Sequence, residues 1–154
     1  MINSNAFGAR TAFARFAEDM SHLADRVKNW DKAKALTAAA QRHMADDVRR
    51  CFTLQRTPWG DPWTPLKHRN KHGTPLIDTG AMMRAALAAA GGAVYTNDHQ
   101  IYLKTDEPKY LHFQNDGTST IPARPFLGLS NESYEAMDRE VFEDFQKHLF
   151  GDSR

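Results

Sequence analysis

The chain has 154 residues, of which 41% are hydrophobic and 25% are charged, as is typical of a compact globular protein with one domain. Its formal net charge of +1 gives no global electrostatic attraction to nucleic acid, and its longest apolar stretch, around residues 85–90, is too short to span a membrane. Cys51 is the only cysteine, which excludes an intrachain disulfide and a cysteine-based zinc site.

Two successive helical patterns cover residues 1–55 and predict a helical hairpin. In the first, apolar residues recur at spacings of three and four and form a seam: Phe13, Phe16, Met20, Leu23, Val27 and Trp30. Asp31 can cap the second helix, which ends near Gln55 and carries its own apolar stripe: Leu36, Ala40, Met44, Val48 and Phe52. The seam fits a coiled-coil contact with a partner or packing within the chain, and with so few heptads we favour packing within the chain.

Residues 56–77 predict a long ordered loop that is rich in proline and tryptophan. Trp59 and Trp63 could anchor this loop on the core or contact a partner, and the nearby prolines favour anchoring because they already limit mobility. The stretch is also locally basic, through Arg49, Arg50, Arg56, Lys67, Arg69 and Lys71, with His68 and His72. Basic residues with interleaved tryptophans could bind phosphates and stack on bases, so a DNA-binding module is an alternative function. Three acidic residues, Asp46, Asp47 and Asp61, dilute this charge and make DNA binding the less favoured interpretation.

Residues 78–154 predict a helix, a β-hairpin, an extended connector and a final helix. Asp78 or Thr79 can cap the first helix, which carries Met82, Met83 and Leu87 and ends at Gly91-Gly92. The period then changes to two on both sides of a turn at Asn97-Asp98, which predicts the hairpin. A third extended segment, which contains Ile121, is expected to add to the sheet.

The final helix is expected to run from Ser130 to Phe150 and to end at Gly151. Its predicted buried face consists of Tyr134, Met137, Val141, Phe145 and Leu149. The predicted fold class is therefore α+β, with a helical hairpin and further helices packed on a small antiparallel β-sheet within one domain.

The run IPARPFLG at 121–128 has the clearest local meaning in this part of the chain. Pro122 and Pro125 remove two backbone donors and fix two φ angles, so the segment is a rigid extended connector. It presents Arg124 and Phe126 on a stiff backbone, which suits a packing joint or a contact with another subunit. We expect the Arg124 guanidinium to pair with a carboxylate or with backbone carbonyls.

The polar clusters predict no catalytic, cofactor-binding or metal-binding residue. His68 and His72 stand four apart and on a helix would face one metal, but the surrounding glycine and prolines argue against a helix there. A metal-dependent nuclease that uses this pair is the least favoured alternative. Asp98-His99 lies in the predicted turn and His112 near an expected sheet edge, and neither has a serine or cysteine in a nucleophile motif.

Four segments, taken together and in order, resemble the phage virion morphogenesis family. They are PWGDPWTPL at 58–66, LIDTG at 76–80, YLHFQNDG at 110–117 and IPARPFLG at 121–128, which leads to the helix start at Ser130. The members of this family are tail-completion proteins, which finish the end of a phage tail for joining to the head. The chain departs from the family pattern at Leu111 and Phe113, and at Asn115-Asp116-Gly117, which replaces a phenylalanine-glycine turn.

The resemblance implies a non-enzymatic structural protein without a cofactor, made in the host cytoplasm and located in the virion tail or neck. It implies a ring, with the tail's symmetry suggesting a hexamer, and as further partners the tail tube or tail terminator and the head-side connector proteins. No membrane is expected as a partner, and nucleic acid is not favoured. The structural or interface candidates are Trp59, Trp63, Pro122, Arg124, Pro125 and Phe126.

Overall fold

The computed structural model describes residues 4–66, 74–77, 79–95, 100–103 and 110–151. Over these residues it has five helices and two short strands: α1 (Ser4–Asn29), α2 (Lys32–Leu54), α3 (Ala81–Gly91), β1 (Ala93–Tyr95), β2 (Ile101–Leu103), α4 (Tyr110–Asp116) and α5 (Asn131–Phe150). The chain forms two compact units, Met1–Asp31 with Phe142–Arg154, and Lys32–Val141. Helix α5 contributes to both units.

The described residues are mostly helical, so the predicted α+β class is wrong. β1 and β2 pair antiparallel, with Ala93 opposite Leu103 and Tyr95 opposite Ile101, but this two-stranded ribbon is the whole of the regular sheet in the described part of the chain. The turn predicted at Asn97-Asp98 lies outside the described residues.

The third strand predicted at Ile121 is also wrong. The carbonyl oxygen of Ile121 accepts a hydrogen bond from the backbone N–H of Thr118 at 2.8 Å, so this backbone is satisfied in a local turn. Pro122, the next residue, has no N–H to give to a strand ladder. His112, expected near a sheet edge, lies exposed on helix α4.

The core of the larger unit lies between α2 and α3. The apolar stripe of α2 is buried as predicted, from Leu36 to Phe52. The buried side chains of α3 are all alanines, at positions 85, 86, 89 and 90. The predicted Met82, Met83 and Leu87 are partly buried and pack against the core. Small side chains allow two helix backbones to approach closely. The alanines of α3 therefore let this helix pack closely against α2.

Helix α3 begins without the predicted side-chain cap. Gly80 occupies the capping position with a left-handed φ of 72°, and it makes no side-chain cap hydrogen bond. The nearest substitute is Thr79, whose Oγ1 accepts from the Ala81 N–H at 3.4 Å. Asp78 lies outside the described residues. The predicted end at the glycine pair is confirmed, because α3 stops at Gly91 and Gly92 donates to its last carbonyls.

In the smaller unit, the C-terminal ends of α1 and α5 pack side by side. The rings of Trp30 and Phe145 lie 4.7 Å apart between centroids, and the Trp30 indole donates to the Asp144 carboxylate at 2.9 Å. One turn away, Arg26 donates to the Leu149 carbonyl oxygen at 2.7 Å. Trp30 thus contacts Phe145, and Arg26 contacts Leu149. Because the residue number falls along one helix as it rises along the other, the two helices are antiparallel.

The apolar seam of α1 is not packed within the chain as predicted. Phe13, Phe16 and Met20 are 73%, 59% and 41% exposed, whereas Leu23 and Trp30 are half-buried. The final helix follows its prediction more closely, since Met137 and Leu149 are buried, although Tyr134 is exposed. Within the described residues, no helix is both long enough and apolar enough to cross a bilayer.

Candidate interaction site at the proline connector

Three aromatic rings from three segments meet at the centre of the site. Phe52 comes from α2, Trp63 from the loop at 56–66, and Phe126 from residues 121–129, which we call the connector. The ring centroids of Phe52 lie 5.4 Å from those of both Trp63 and Phe126, in edge-on and tilted arrangements that favour aromatic pairs. The Trp63 indole N–H donates to the carbonyl oxygen of Pro125 at 2.8 Å. Trp63 therefore anchors the loop on the core, as its sequence context indicated.

The Arg124 side chain is buried and pairs with backbone carbonyls. Its Nε donates to the carbonyl oxygen of Thr64 at 2.9 Å, and its Nη2 donates to that of Pro65 at 3.4 Å. We expected this guanidinium to pair with a carboxylate or with backbone carbonyls, and its partners are backbone carbonyls. Burial lowers the pKa of Arg124, but an arginine keeps its charge in proteins, so two backbone dipoles satisfy a cation that is only 5% exposed.

The C-terminal end of α4 holds the other side of the connector. Oδ1 of Asn115 accepts two hydrogen bonds, from the backbone N–H groups of Phe126 at 2.9 Å and Leu127 at 2.8 Å. Gly117 follows α4 with a φ of 78°, and a Cβ there would lie 2.7 Å from the backbone nitrogen of Ala123. The Asn115-Asp116-Gly117 run thus ends a helix and fits closely against the connector.

A buried carboxylate links the connector to α2 at the start of α5. Asp47 is 2% exposed, and its Oδ2 accepts from the Ser130 backbone N–H at 2.7 Å. The Ser130 hydroxyl donates to Oδ1 of Asp47 and accepts from the N–H of Ser133, which is an N-cap bond for α5. Arg50 lies against the same carboxylate at 3.1 Å and also contacts Glu132 at 2.7 Å.

Sequence reasoning missed the role of Asp47 and counted it only as a diluting charge. The signal was its position, one turn after Met44 and one turn before Cys51, which places it on the buried stripe of α2. A carboxylate on such a stripe needs hydrogen-bond donors, and the helix start at Ser130 supplies them. The same surroundings raise the pKa of the Cys51 thiol to about 12, first through burial and then through the negative charge of Asp47.

Trp59 differs from the other candidates because it is exposed. Its side chain is 60% exposed, so the prediction that it anchors on the core is wrong. It borders a cleft of about 300 Å³ that Arg50, Arg56 and Glu132 also line. A Cβ at Gly128 would lie 3.3 Å from Cγ of Pro58 and 3.5 Å from the Trp59 indole, so the connector packs closely against the start of this turn.

The loop presents Trp59 on a rigid turn. The backbone N–H of Thr57 donates to the carbonyl oxygen of Asp61 at 2.7 Å, and that of Asp61 donates back to the Thr57 hydroxyl at 3.1 Å. At the base of the turn, Arg56 forms a β-bridge with Pro62. A large aromatic side chain on a closed turn loses little conformational entropy when a partner covers it.

The basic stretch is partly neutralised by neighbouring carboxylates. Arg49 pairs with Asp46 at 2.6 Å, and Arg50 pairs with Asp47 and Glu132. The remaining predicted contributors at 67–72, including His68 and His72, lie outside the described residues. In the part of the chain that the structure describes, no cluster of three histidine, cysteine, aspartate or glutamate side chains could hold a metal ion.

The predicted candidates therefore have different positions. Trp63, Arg124, Pro125 and Phe126 meet in one joint, Pro122 is half-buried in the same connector, and Trp59 is exposed beside it. Asp47 and Asn115 complete the joint. Comparison of the chain with protein-family models, with curated proteins and with solved structures found no match.

Proposed function

We propose that this protein is a non-enzymatic phage structural protein that completes the tail end and takes part in head-tail joining. The observation that carries this proposal is that three of the four segments of the family resemblance meet in one buried joint. Trp63 of the first segment bonds to the connector, Asn115 of the third segment bonds to it from the other side, and the connector is the fourth segment. Chain segments far apart in sequence thus cooperate in one packing arrangement, as expected if they characterise a fold rather than scattered short similarities.

In this proposal the joint serves as a rigid support and Trp59 as the subunit contact. Tryptophan and arginine are the residue types that dominate binding energy at protein interfaces, and Trp59 lies beside Arg50 and Arg56. A ring of identical chains needs one surface patch that meets a different patch on the next copy. The cleft at Trp59 is our candidate for one of those two patches, and tail and head-side proteins are the further partners.

Paired tryptophan substitutions test this assignment. We expect Trp59→Ala to leave the urea midpoint of the purified chain nearly unchanged, because the side chain is exposed, and to prevent ring formation seen by negative-stain electron microscopy. Trp63→Ala is the matched control: it removes a buried ring and should destabilise the fold by about 3 kcal/mol. Rings that form normally from the Trp59→Ala protein would contradict the assigned contact. Salt-sensitive DNA binding without rings would instead favour the alternative function.

A further inference from the structure

Helix α4 exposes two aromatic side chains on the side that faces away from the core. Leu111 is fully buried, and Phe113, which lies about 160° around the helix from it, is 48% exposed. Tyr110 and Asp116 are also exposed and lie about 60° to either side of Phe113. Asp116 accepts a hydrogen bond from the Asn115 side chain at 2.6 Å and forms no ion pair with a described residue. We call Tyr110, Phe113 and Asp116 the α4 face.

The cleft at Trp59 offers the complementary groups. Trp59 and Leu54 both line it and are 60% and 56% exposed. Of its two arginines, Arg50 is already paired with two carboxylates. Arg56 is exposed and forms no ion pair with a described residue. The cleft and the α4 face thus each combine exposed apolar side chains with one charge that lacks an ionic partner, and the two charges have opposite signs.

The loop that carries Trp59 and helix α4 lie on opposite sides of the connector. In a trans peptide unit, the C=O and N–H groups point in opposite directions. In the unit between Pro125 and Phe126, the carbonyl accepts from Trp63 of the loop and the N–H donates to Asn115 of α4. Both surfaces belong to the larger compact unit. A contact between the cleft and the α4 face is therefore a contact between two copies, and its two surfaces differ, as a ring requires.

We propose that the cleft at Trp59 of one copy binds the α4 face of the next copy in the ring. Trp59 then packs against the partner subunit's Phe113, and the Arg56 guanidinium pairs with the partner's Asp116. Each copy supplies its cleft to one neighbour and its α4 face to the other, so the contact is head-to-tail. This inference rests on the proposed ring, to which it adds the second surface.

The first test mixes two variants of the full chain that each lack one surface. Trp59→Ala alters the cleft, and Phe113→Glu places a charge in the α4 face at an exposed position, so circular dichroism should show unchanged helix content for both. Each variant alone should be monomeric by sedimentation equilibrium at concentrations at which the wild-type chain forms rings. An equimolar mixture should form a complex of two chains, because one intact cleft meets one intact α4 face and the remaining surfaces are both altered. A mixture that stays monomeric while the wild-type chain forms rings would overturn the proposal.

Charge exchange tests the ion pair within this contact. Arg56→Asp and Asp116→Arg should each raise the dissociation constant of the contact about tenfold, because an attractive pair becomes repulsive. An equimolar mixture of the two variants should recover wild-type assembly. In a ring of alternating variants, the introduced aspartate faces the introduced arginine, and the unchanged Arg56 faces the partner's unchanged Asp116.

The matched controls are Asp138→Arg and Arg139→Asp. They make the same changes of charge at exposed positions of α5 that belong to neither surface. Each should change the dissociation constant by less than about twofold, because both positions lie outside the contact. A charge-exchange mixture that fails to recover, or control effects as large as those at positions 56 and 116, would overturn the pairing of Arg56 with the partner's Asp116.

These results separate the contact from the proposed function. A two-chain complex in the first mixture, from a wild-type chain that forms no closed ring, would support the contact and contradict the ring. Rings that form from Phe113→Glu as readily as from the wild-type chain would support the ring and overturn the α4 face as its second surface. A wild-type chain that is monomeric, with a mixture that is monomeric too, would contradict both.

Discussion

At the residue scale, Arg124 joins three backbone segments through its side chain and its own backbone N–H. Its guanidinium donates to the carbonyls of Thr64 and Pro65, and its own N–H donates to Gln114 at 2.9 Å. Arg124→Ala leaves both carbonyls without this donor in a buried place, so we expect a loss of roughly 2–4 kcal/mol in the free energy of unfolding, measured by urea denaturation. Arg49→Ala is the control, because that exposed arginine pairs only at the surface, and its loss should stay within about 0.5 kcal/mol. Equal stability of the two variants would contradict a structural role for Arg124.

The thiol of Cys51 gives a second test at this scale. Because burial and the charge of Asp47 raise its pKa to about 12, the thiolate is scarce in the folded protein at neutral pH. Folding is therefore favoured by this group below the ordinary thiol pKa of 9.0, and that contribution is lost as the pH rises toward 12. At about pH 8 we expect an aromatic disulfide reagent to label Cys51 only after urea unfolds the chain. Rapid labelling of the folded protein would show that the α2 stripe is open to solvent.

At the scale of elements, α2 holds the N-cap residue of α5, because the Asp47 carboxylate accepts a hydrogen bond from the backbone N–H of Ser130. Asp47→Ala removes the acceptor for the buried Ser130 N–H and a partner of Arg50, and we expect it to lower the free energy of unfolding by about 2–3 kcal/mol. Asp46→Ala is a close control, because the neighbouring carboxylate is exposed and, among the described residues, pairs with Arg49 at the surface. It should cost no more than about 0.5 kcal/mol. Thermal unfolding monitored by circular dichroism distinguishes the two variants. Similar midpoints would contradict the role of Asp47 at the start of α5.

The helical periodicities in the sequence predicted where helices lie better than they predicted what each helix packs against. The sequence located both ends of α2 and α5, and the C-terminal end of α1, within one or two residues, because the three-and-four spacing is a property of the helix itself. It did not locate the start of α1, since the apolar seam begins at Phe13 and the helix begins at Ser4. The same spacing in α1 could not show what covers Phe13 and Phe16, since a stripe facing a partner and one facing the core look alike in sequence. Helix α4 was missed because a helix of seven residues gives too little periodicity to recognise.

The wrong fold class has a similar origin. Alternation over three residues on each side of a turn predicts paired strands, and β1 and β2 do pair, but alternation cannot show whether further strands join them. The prolines of the connector indicated an extended segment outside a central strand. Its backbone groups bond to side chains instead: two N–H groups donate to Asn115, and the Pro125 carbonyl accepts from Trp63. Such long-range partners have no local signature in sequence.

At the scale of the whole molecule, the sequence located most of the joint but not its exposed neighbour. Trp63, Arg124 and Phe126 were candidates because proline and aromatic residues flank them, and all three are buried together. Trp59 has the same sequence surroundings but is exposed. Its exposure depends on the closure of one turn between Thr57 and Asp61, which composition does not reveal.

We infer that this chain functions by assembly, and the first experiment to make is a measurement of the solution mass of the full chain. We would measure it by light scattering over a range of concentrations, at low and high salt. We expect a closed particle of about six chains, with a mass that salt does not change. A strict monomer at every concentration that binds DNA in a salt-sensitive manner would contradict it.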